Sequence, residues 1–317
     1  MTEPAAPPSV RHVEVGPRHA GQRIDNFLLT ALKGVPRSRI YRLLRKGEVR
    51  VNKGRAKPEY RLKEGDIVRL PPVRTSAPER LLTDASRFAW LNDRILYEDE
   101  ALLIIDKPPG LAVHGGSGVS VGLIEALRAL RGEDAPLELA HRLDRDTSGC
   151  LILAKTREAL LGLHRMLKDG GLRKTYLALL VGRWHGGPQD VEAALEKGRD
   201  VAGEKRVAVA EQGRPARSHF RPLDRYHDTT LVEIDLHTGR THQARVHAAH
   251  LGHPVAGDEK YGDRDDNRRL RKLGIRRLFL HALRLSFPHP VTGKQLTVES
   301  PLPSDLEQGL EQIRRGP

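Results

Sequence analysis

His141-Arg142-Leu143-Asp144-Arg145-Asp146-Thr147-Ser148-Gly149 runs, across Cys150, into Leu151-Ile152-Leu153-Ala154. The first part is a polar turn holding two carboxylates and two arginines. The second is a short continuous apolar run, the pattern of a strand buried on both faces. A loop delivered by a rigid strand is where catalytic side chains tend to collect. Asp144, with Arg142 and Arg145 close in sequence, should remain ionised, because nearby positive charge favours the carboxylate. Such a group can act as nucleophile or base. Residue types alone nevertheless favour a structural ion-pair turn, with Thr147 and Ser148 capping backbone groups.

Working outward, Leu102-Leu103-Ile104-Ile105-Asp106 reads as a second buried strand, ending at Lys107-Pro108-Pro109-Gly110. A helix is expected over Val121 to Leu130 and another near Arg157 to Lys168. Lys174 to Val181, Thr230 to Leu236, Leu278 to Leu285 and Leu296 to Glu299 read as further strands. Strands and helices without a strict βαβ rhythm predict an α+β fold with a mixed, mainly antiparallel sheet.

The N-terminal quarter differs in kind. Residues 1–80 carry 18 basic and 8 acidic side chains, so most of the net charge of +13 sits there. Such concentration suggests an electrostatic handle for a polyanion, since phosphate contacts by Lys and Arg release counterions without reading a base sequence. Ile24, Phe27, Leu28 and Leu32 fall at helical spacing. After a break at Gly34, Pro36 and an N-capping Ser38 start a second helix. That helix buries Ile40, Leu43 and Leu44, runs Arg39, Arg42 and Lys46 along another face, and ends at Gly47. Val49 and Val51 alternate with polar residues as a half-buried strand turned by Lys53-Gly54, and Ile67 to Leu70 alternate again. The expected organisation is a flexible tail over 1–19, a small basic domain over 20–80, a linker over 81–93 and a larger domain over 94–310.

Composition excludes several classes. No run approaches the roughly 18 apolar residues of a membrane span, and the Pro/Ala-rich N-terminus lacks a signal peptide's apolar core. A single cysteine, Cys150, precludes an internal disulfide and any CxxC motif, which fits a reducing cytoplasm. His237, His242, His247 and His250 have spacings that match no familiar zinc pattern, so no metal is expected. His242 and Gln243 are expected instead to buttress the Arg240 loop, and His247 to pack on the following helix. No heptad or interface patch argues against a monomer.

The polar turn matches, without a break, the His-Arg-Leu-Asp-x-x-Thr-Ser-Gly signature of the RluA-type pseudouridine synthases, which this chain resembles over about residues 20–305. Four further segments fall in the family's order: Lys107-Pro108-x-Gly110 with Val113-His114; Lys174-x-Tyr176-x-Ala178; Thr238-Gly239-Arg240-Thr241-His242-Gln243-x-Arg245-Val246-His247; and Leu280-His281-Ala282. The basic quarter, with Gly47 to Lys53, resembles the S4-type RNA-binding domain. The resemblance implies an RNA pseudouridine synthase acting on 23S rRNA or a large-subunit assembly intermediate, without a cofactor. That agrees with the lack of any GxGxxG or Walker pattern. It implies Asp144 as the catalytic aspartate, attacking the sugar or abstracting a sugar proton, and Tyr176 as the active-site tyrosine, stacking on uracil and assisting loss of the C5 proton. It implies Arg240 as the basic partner of Asp144, and Arg142 at the point where the flipped nucleotide leaves its stack. Arg37, Arg39, Arg42, Arg45, Lys46, Arg50 and Lys53 are the expected RNA contacts of the S4-like domain. A non-catalytic RNA-binding factor would have no reason to keep Asp144, Tyr176 and Arg240 together, and a metal-dependent RNA hydrolase would need a ligand set that is not evident.

Overall fold

A computed structural model describes residues 9–32, 35, 37–73, 85–115, 121–132, 135–199 and 205–316. Gly34, Pro36, residues 1–8 of the expected tail and residues 81–84 of the expected linker lie outside the described residues, as does the Arg37 side chain. The chain divides between Thr83 and Asp84 into two compact units.

The first unit is built from β1 (Arg11–Glu14), α1 (Ile24–Ala31), α2 (Arg37–Lys46), β2 (Arg50–Val51), β3 (Gly54–Arg55) and β4 (Ile67–Leu70). Its strands form an antiparallel sheet in the order β1-β4-β2-β3. Phe27 and Leu28 of α1 and Ile40, Leu43 and Leu44 of α2 are buried with Val51, Val68 and Leu70 in one core. Asn52 and Lys53 both have positive φ, as a two-residue hairpin whose twist matches its strands requires. Residues 11–14 correct the expected tail, because β1 pairs with β4 along its length. Helix α2 begins at Arg37, so Ser38 sits inside its first turn and not at its cap.

The second unit begins with a 3-10 helix, Ala85–Arg94, where a linker was expected; Leu91 anchors it in the core. There follow β5 (Ile95–Glu98), β6 (Leu102–Lys107), α3 (Leu123–Arg131), β7 (Glu138–Leu139), β8 (Ser148–Ala154), α4 (Arg157–Asp169), β9 (Arg173–Val181) and β10 (Gln189–Glu192). A hairpin of β11 (Leu195–Arg199) and β12 (Lys205–Val209) precedes β13 (Arg217–Arg225), β14 (Thr229–Leu236), α5 (Gln243–His250) and α6 (Arg264–Lys272). The chain closes with β15 (Leu280–Pro288), β16 (Gln295–Glu299) and α7 (Ser304–Arg315). Helix α7 carries the unit past the expected boundary at 310, since Ile313 is buried with Leu306 and Leu310.

Ten strands form one sheet in the order β10-β13-β14-β9-β15-β8-β6-β5, with β16 beside β15 and β7 beside β8. Period-two alternation splits each central strand between two layers. Tyr176, Ala178 and Leu180 face α3 and α5, whereas Leu177, Leu179 and Val181 face α6 and α7. In β8, Leu151 and Leu153 join the first layer, and Cys150, Ile152 and Ala154 pack against α4. Cys150 is therefore a small core side chain, its thiol pushed up to about 12 chiefly by burial.

Among the described strands, the pairing of β8 with β15 is parallel and all others are antiparallel. It joins Ser148 to His281 and Gly149 to Ala282. Gly149 has φ +109, and a Cβ there would lie 2.3 Å from the carbonyl oxygen of Ala282. Only glycine allows the chain to leave the 141–149 turn and enter this seam.

Candidate active site

The 141–149 turn is latched from beneath. Lys107, fully buried at the end of β6, donates Nζ to the carbonyls of Pro108 (2.7 Å), Leu111 (3.0 Å) and Arg145 (2.9 Å). Burial pulls its ammonium down to about 7, while Asp146 and Asp144 favour the charged form. Three carbonyl acceptors use all three donors of an ammonium and would leave an amine lone pair facing oxygen, so the charged form fits this nest. The carbonyl of Arg145 also accepts from Gly110 N, and Arg145 Nε donates to Gly110 O at 2.9 Å. Arg145 is thus spent on the latch, and Arg142 is exposed at the cavity's edge with no salt bridge to Asp144. Neither arginine flanks the Asp144 carboxylate as their sequence proximity suggested.

His141 accepts a hydrogen bond at Nε2 from the Ile152 backbone N–H (3.2 Å). Burial, with Lys174 nearby, lowers it to about 3, so a neutral ring buttresses the start of the turn. Ser148 Oγ meets His281 Nδ1 at 3.0 Å instead of capping the turn, and His281 Nε2 donates to Ser300 O. Thr147 Oγ1 is buried with no partner among the described residues.

Asp144 opens on a cavity of about 510 Å³, walled by the turn, by Lys174 and Tyr176 of β9, by residues 236–242 and by the first turn of α5. That volume lies within the usual range of small-ligand pockets, about 300–1,000 Å³. Tyr176 is 7 % exposed. Burial, reinforced by the Asp144 charge, drives its phenol upward, so the ring enters the cavity wall as a protonated phenol. Lys174, two residues earlier on the same strand face, donates to Thr238 O at 3.4 Å and is lowered by burial and by Arg240 to about 8.

The basic partner of Asp144 is not Arg240. Arg240 is exposed and donates Nε to Pro215 O at 3.0 Å. Arg245, on the buried side of α5, places Nη1 3.6 Å from Asp144 Oδ2. The reason is local. Gln243 accepts from Arg240 N and Thr238 Oγ1 and donates to Arg217 O and Ser218 Oγ, fixing the loop as expected. At His242 the backbone is left-handed, φ +55, and the helix starts immediately after it, turning Arg240 outward and Arg245 inward. His247 lies within α5 itself and not against a following helix, holding Ser218 Oγ and Ala193 O with its two ring nitrogens.

Arg245 is held by Asp258, which is 1 % exposed and accepts from Nε at 2.7 Å and Nη2 at 2.8 Å, and also from the backbone N–H of Lys260 and Tyr261. Burial opposes that carboxylate, but the Arg245 and backbone hydrogen bonds outweigh it and keep Asp258 below the usual carboxylate range. Asp144 is the opposite case. Its carboxylate has Arg245 at 3.6 Å and His242 Nε2 at 3.9 Å, and no described residue reaches it at hydrogen-bond distance. A structural ion-pair aspartate looks like Asp258; Asp144 is held in a field of donors with its oxygens left open. No group of three or more His, Cys, Asp and Glu suited to a metal occurs among the described residues.

In the first unit, Arg42, Arg45 and Lys46 are exposed on α2 and Arg39 is half-buried. Arg50 and Lys53 are exposed at the β2–β3 hairpin, with Arg50 Nε on Gly47 O.

The 141–149 turn, β9 and α5 bring an open aspartate, a buried tyrosine and a locked arginine to one cavity, an arrangement consistent with the RNA pseudouridylate synthase family. The chain belongs to that family: residues 101–250 match RNA pseudouridylate synthase and residues 22–68 match the S4 domain. It is 51 % identical, over 97 % of its length and 98 % of the relative's, to ribosomal large subunit pseudouridine synthase C of Escherichia coli K12. The Yersinia pestis protein of the same name is also 51 % identical, with 97 % of each chain covered. The solved human RNA pseudouridylate synthase domain containing 4 superposes with a TM-score of 0.61 at 26 % identity, covering 73 % of this chain and 96 % of that one. The chain is thus an RNA pseudouridine synthase, an isomerase, with an N-terminal S4 RNA-binding domain. No described helix is long and apolar enough to cross a membrane.

Proposed function

We propose that this chain converts specific uridines of 23S ribosomal RNA, free or within an assembling large subunit, to pseudouridine, as a cytoplasmic monomer that uses no cofactor, with Asp144 as the catalytic carboxylate. The observation that carries the reading is the contrast between the two aspartates facing Arg245: Asp258 is saturated with donors and Asp144 is not. The 51 % identity to large-subunit enzymes along nearly the whole chain supports the choice of RNA.

A uridine stacked in RNA cannot reach Asp144, so it is flipped into the cavity while the exposed Arg142 fills or props the gap. Asp144 then acts on the sugar. Attack at C1′ breaks the N1–C1′ bond and gives an ester, with the electron pair leaving on uracil; abstraction of a ribose proton would expel the same uracil anion. The base turns and C5 bonds to C1′, which releases the ester or, in the second path, takes back the ribose proton from Asp144. The freed carboxylate can then accept the proton that C5 loses, and N1, whose bond to the sugar was broken, gains one from solvent. Substrate and product are isomers, so no electron carrier or energy source is consumed. Tyr176, held protonated, stacks on the turning base and donates from its hydroxyl; its raised pKa argues against a resting phenolate base. Arg245 and His242 orient the carboxylate, and Arg240, on the ridge beside the cavity, is a contact for the RNA backbone. In the S4 unit, Arg37, Arg39, Arg42, Arg45, Lys46, Arg50 and Lys53 supply phosphate contacts that position the RNA without reading bases.

Large-subunit rRNA transcribed with 5-tritiated uridine tests this, both as free RNA and as an unmodified subunit precursor. Release of tritium to water and new carbodiimide-dependent primer-extension stops are expected on at least one of the two. No release from either contradicts the assignment.

A further inference from the structure

Three groups face Asp144 or hold what faces it, and Tyr261 touches each. Its hydroxyl lies 2.8 Å from His242 Nδ1 and accepts the Val207 backbone N–H of β12 at 3.1 Å. Its ring carries the guanidinium carbon of Arg245 at 5.0 Å and that of Arg206, also on β12, at 5.2 Å. Its own backbone N–H joins the carboxylate of Asp258 that locks Arg245.

A phenol has one proton. With the Val207 N–H donating to its oxygen and His242 Nδ1 2.8 Å away, the hydroxyl can give that proton to Nδ1, which is then the acceptor. The imidazole proton then sits on Nε2, the nitrogen 3.9 Å from Asp144 Oδ1. In the opposite tautomer the hydroxyl would have to turn its proton away and accept from Nδ1 as well as from Val207, and a lone pair of the ring would face the carboxylate. The charged and titratable groups facing His242 are Asp144, Arg245, Lys260, Asp258 and Tyr261. Burial is the chief influence on the ring and lowers it, so it stays neutral and its tautomer matters.

We propose that Tyr261 is a positioning residue that fixes His242 as the Nε2–H tautomer facing Asp144, seats Arg245 beside it, and ties both donors to the β11–β12 hairpin. The hairpin is placed to make that tie useful. Together with Arg214, Arg240 and Thr241, it walls a second cavity of about 370 Å³ that shares Gly239, Arg240 and Thr241 with the first. RNA bound there would lie against the strand whose N–H and guanidinium hold Tyr261, which would couple the donors of Asp144 to the substrate.

The proposal rests on Asp144 as the catalytic carboxylate, and two measurements separate its failure from that of the broader reading. Nitrogen-15 histidine spectra of the full chain, with His242 assigned by difference from His242→Gln, report the tautomer without any activity. The Nε2–H form is expected at neutral pH; an Nδ1–H ring or an imidazolium overturns the proposal. In single turnover at saturating RNA, Tyr261→Phe keeps the ring and loses the hydroxyl, and the rate is expected to fall about tenfold with RNA affinity little changed, the scale of one missing hydrogen bond. In a His242→Gln background, whose amide N–H needs no tautomer, the same substitution is expected to cost less than about twofold. Equal losses in both backgrounds, or a loss confined to RNA affinity, would show a merely structural tyrosine.

Discussion

Arg245 faces two aspartates, 2.7 Å from one and 3.6 Å from the other, and that difference separates scaffold from chemistry. A buried guanidinium is tolerated only when paired, and Asp258 supplies the pair. Asp258→Asn leaves the guanidinium only the looser Asp144 carboxylate at 3.6 Å, so it should cost about 1.5–3 kcal/mol in urea unfolding. A loss under about 1 kcal/mol would mean that the pair does not hold the site. Asp144 was legible in sequence because it sits in an unbroken signature; its partner was not. Arg240 and Arg245 occupy one motif, and the left-handed residue at His242, which sorts them, leaves no compositional trace. A signal did exist, since Arg245 lies in the apolar run Ala244-Arg245-Val246, where an arginine is buried and must be matched. Asp258 and Tyr261, distant in sequence and without periodicity, gave none.

At the scale of elements, the strands that carry the site were readable because continuous apolar runs mark strands covered on both faces. Leu102 to Asp106, Leu151 to Ala154 and Lys174 to Val181 all lie inside the sheet's edges. The less legible elements draw their stability from tertiary contact. Strand β1 is mostly exposed and exists by pairing with β4, the 3-10 helix at 85–94 is held by Leu91, and α6 is nine residues with seven charges. The junction of turn and strand is the tightest point. Gly149→Ala would force a Cβ onto the Ala282 carbonyl at a positive φ, and should destabilise the protein by at least about 2 kcal/mol. Gly170→Ala, at φ +79 with nothing within 4 Å, meets only the backbone penalty and should cost less in the same unfolding experiment. Equal costs would show that the parallel seam can spread.

For the whole molecule, the charge division foreseen in sequence corresponds to two compact units, the first holding most of the net positive charge. Replacing Arg42, Arg45 and Lys46 by Gln should weaken RNA binding and lower the salt dependence by up to about 0.7–0.9 in log–log slope for each phosphate no longer neutralised. The single-turnover rate at saturating RNA should stay near that of the parent, and an unchanged salt slope would remove these residues from the interface. The central claim is that an aspartate left open beside Arg245 performs the sugar chemistry. Its most direct test is the single-turnover rate of pseudouridine formation on large-subunit rRNA by Asp144→Asn, with RNA affinity measured alongside. The predicted result is intact binding with no pseudouridine above background; an Asp144→Asn protein that modifies the RNA at the parent rate would contradict the account.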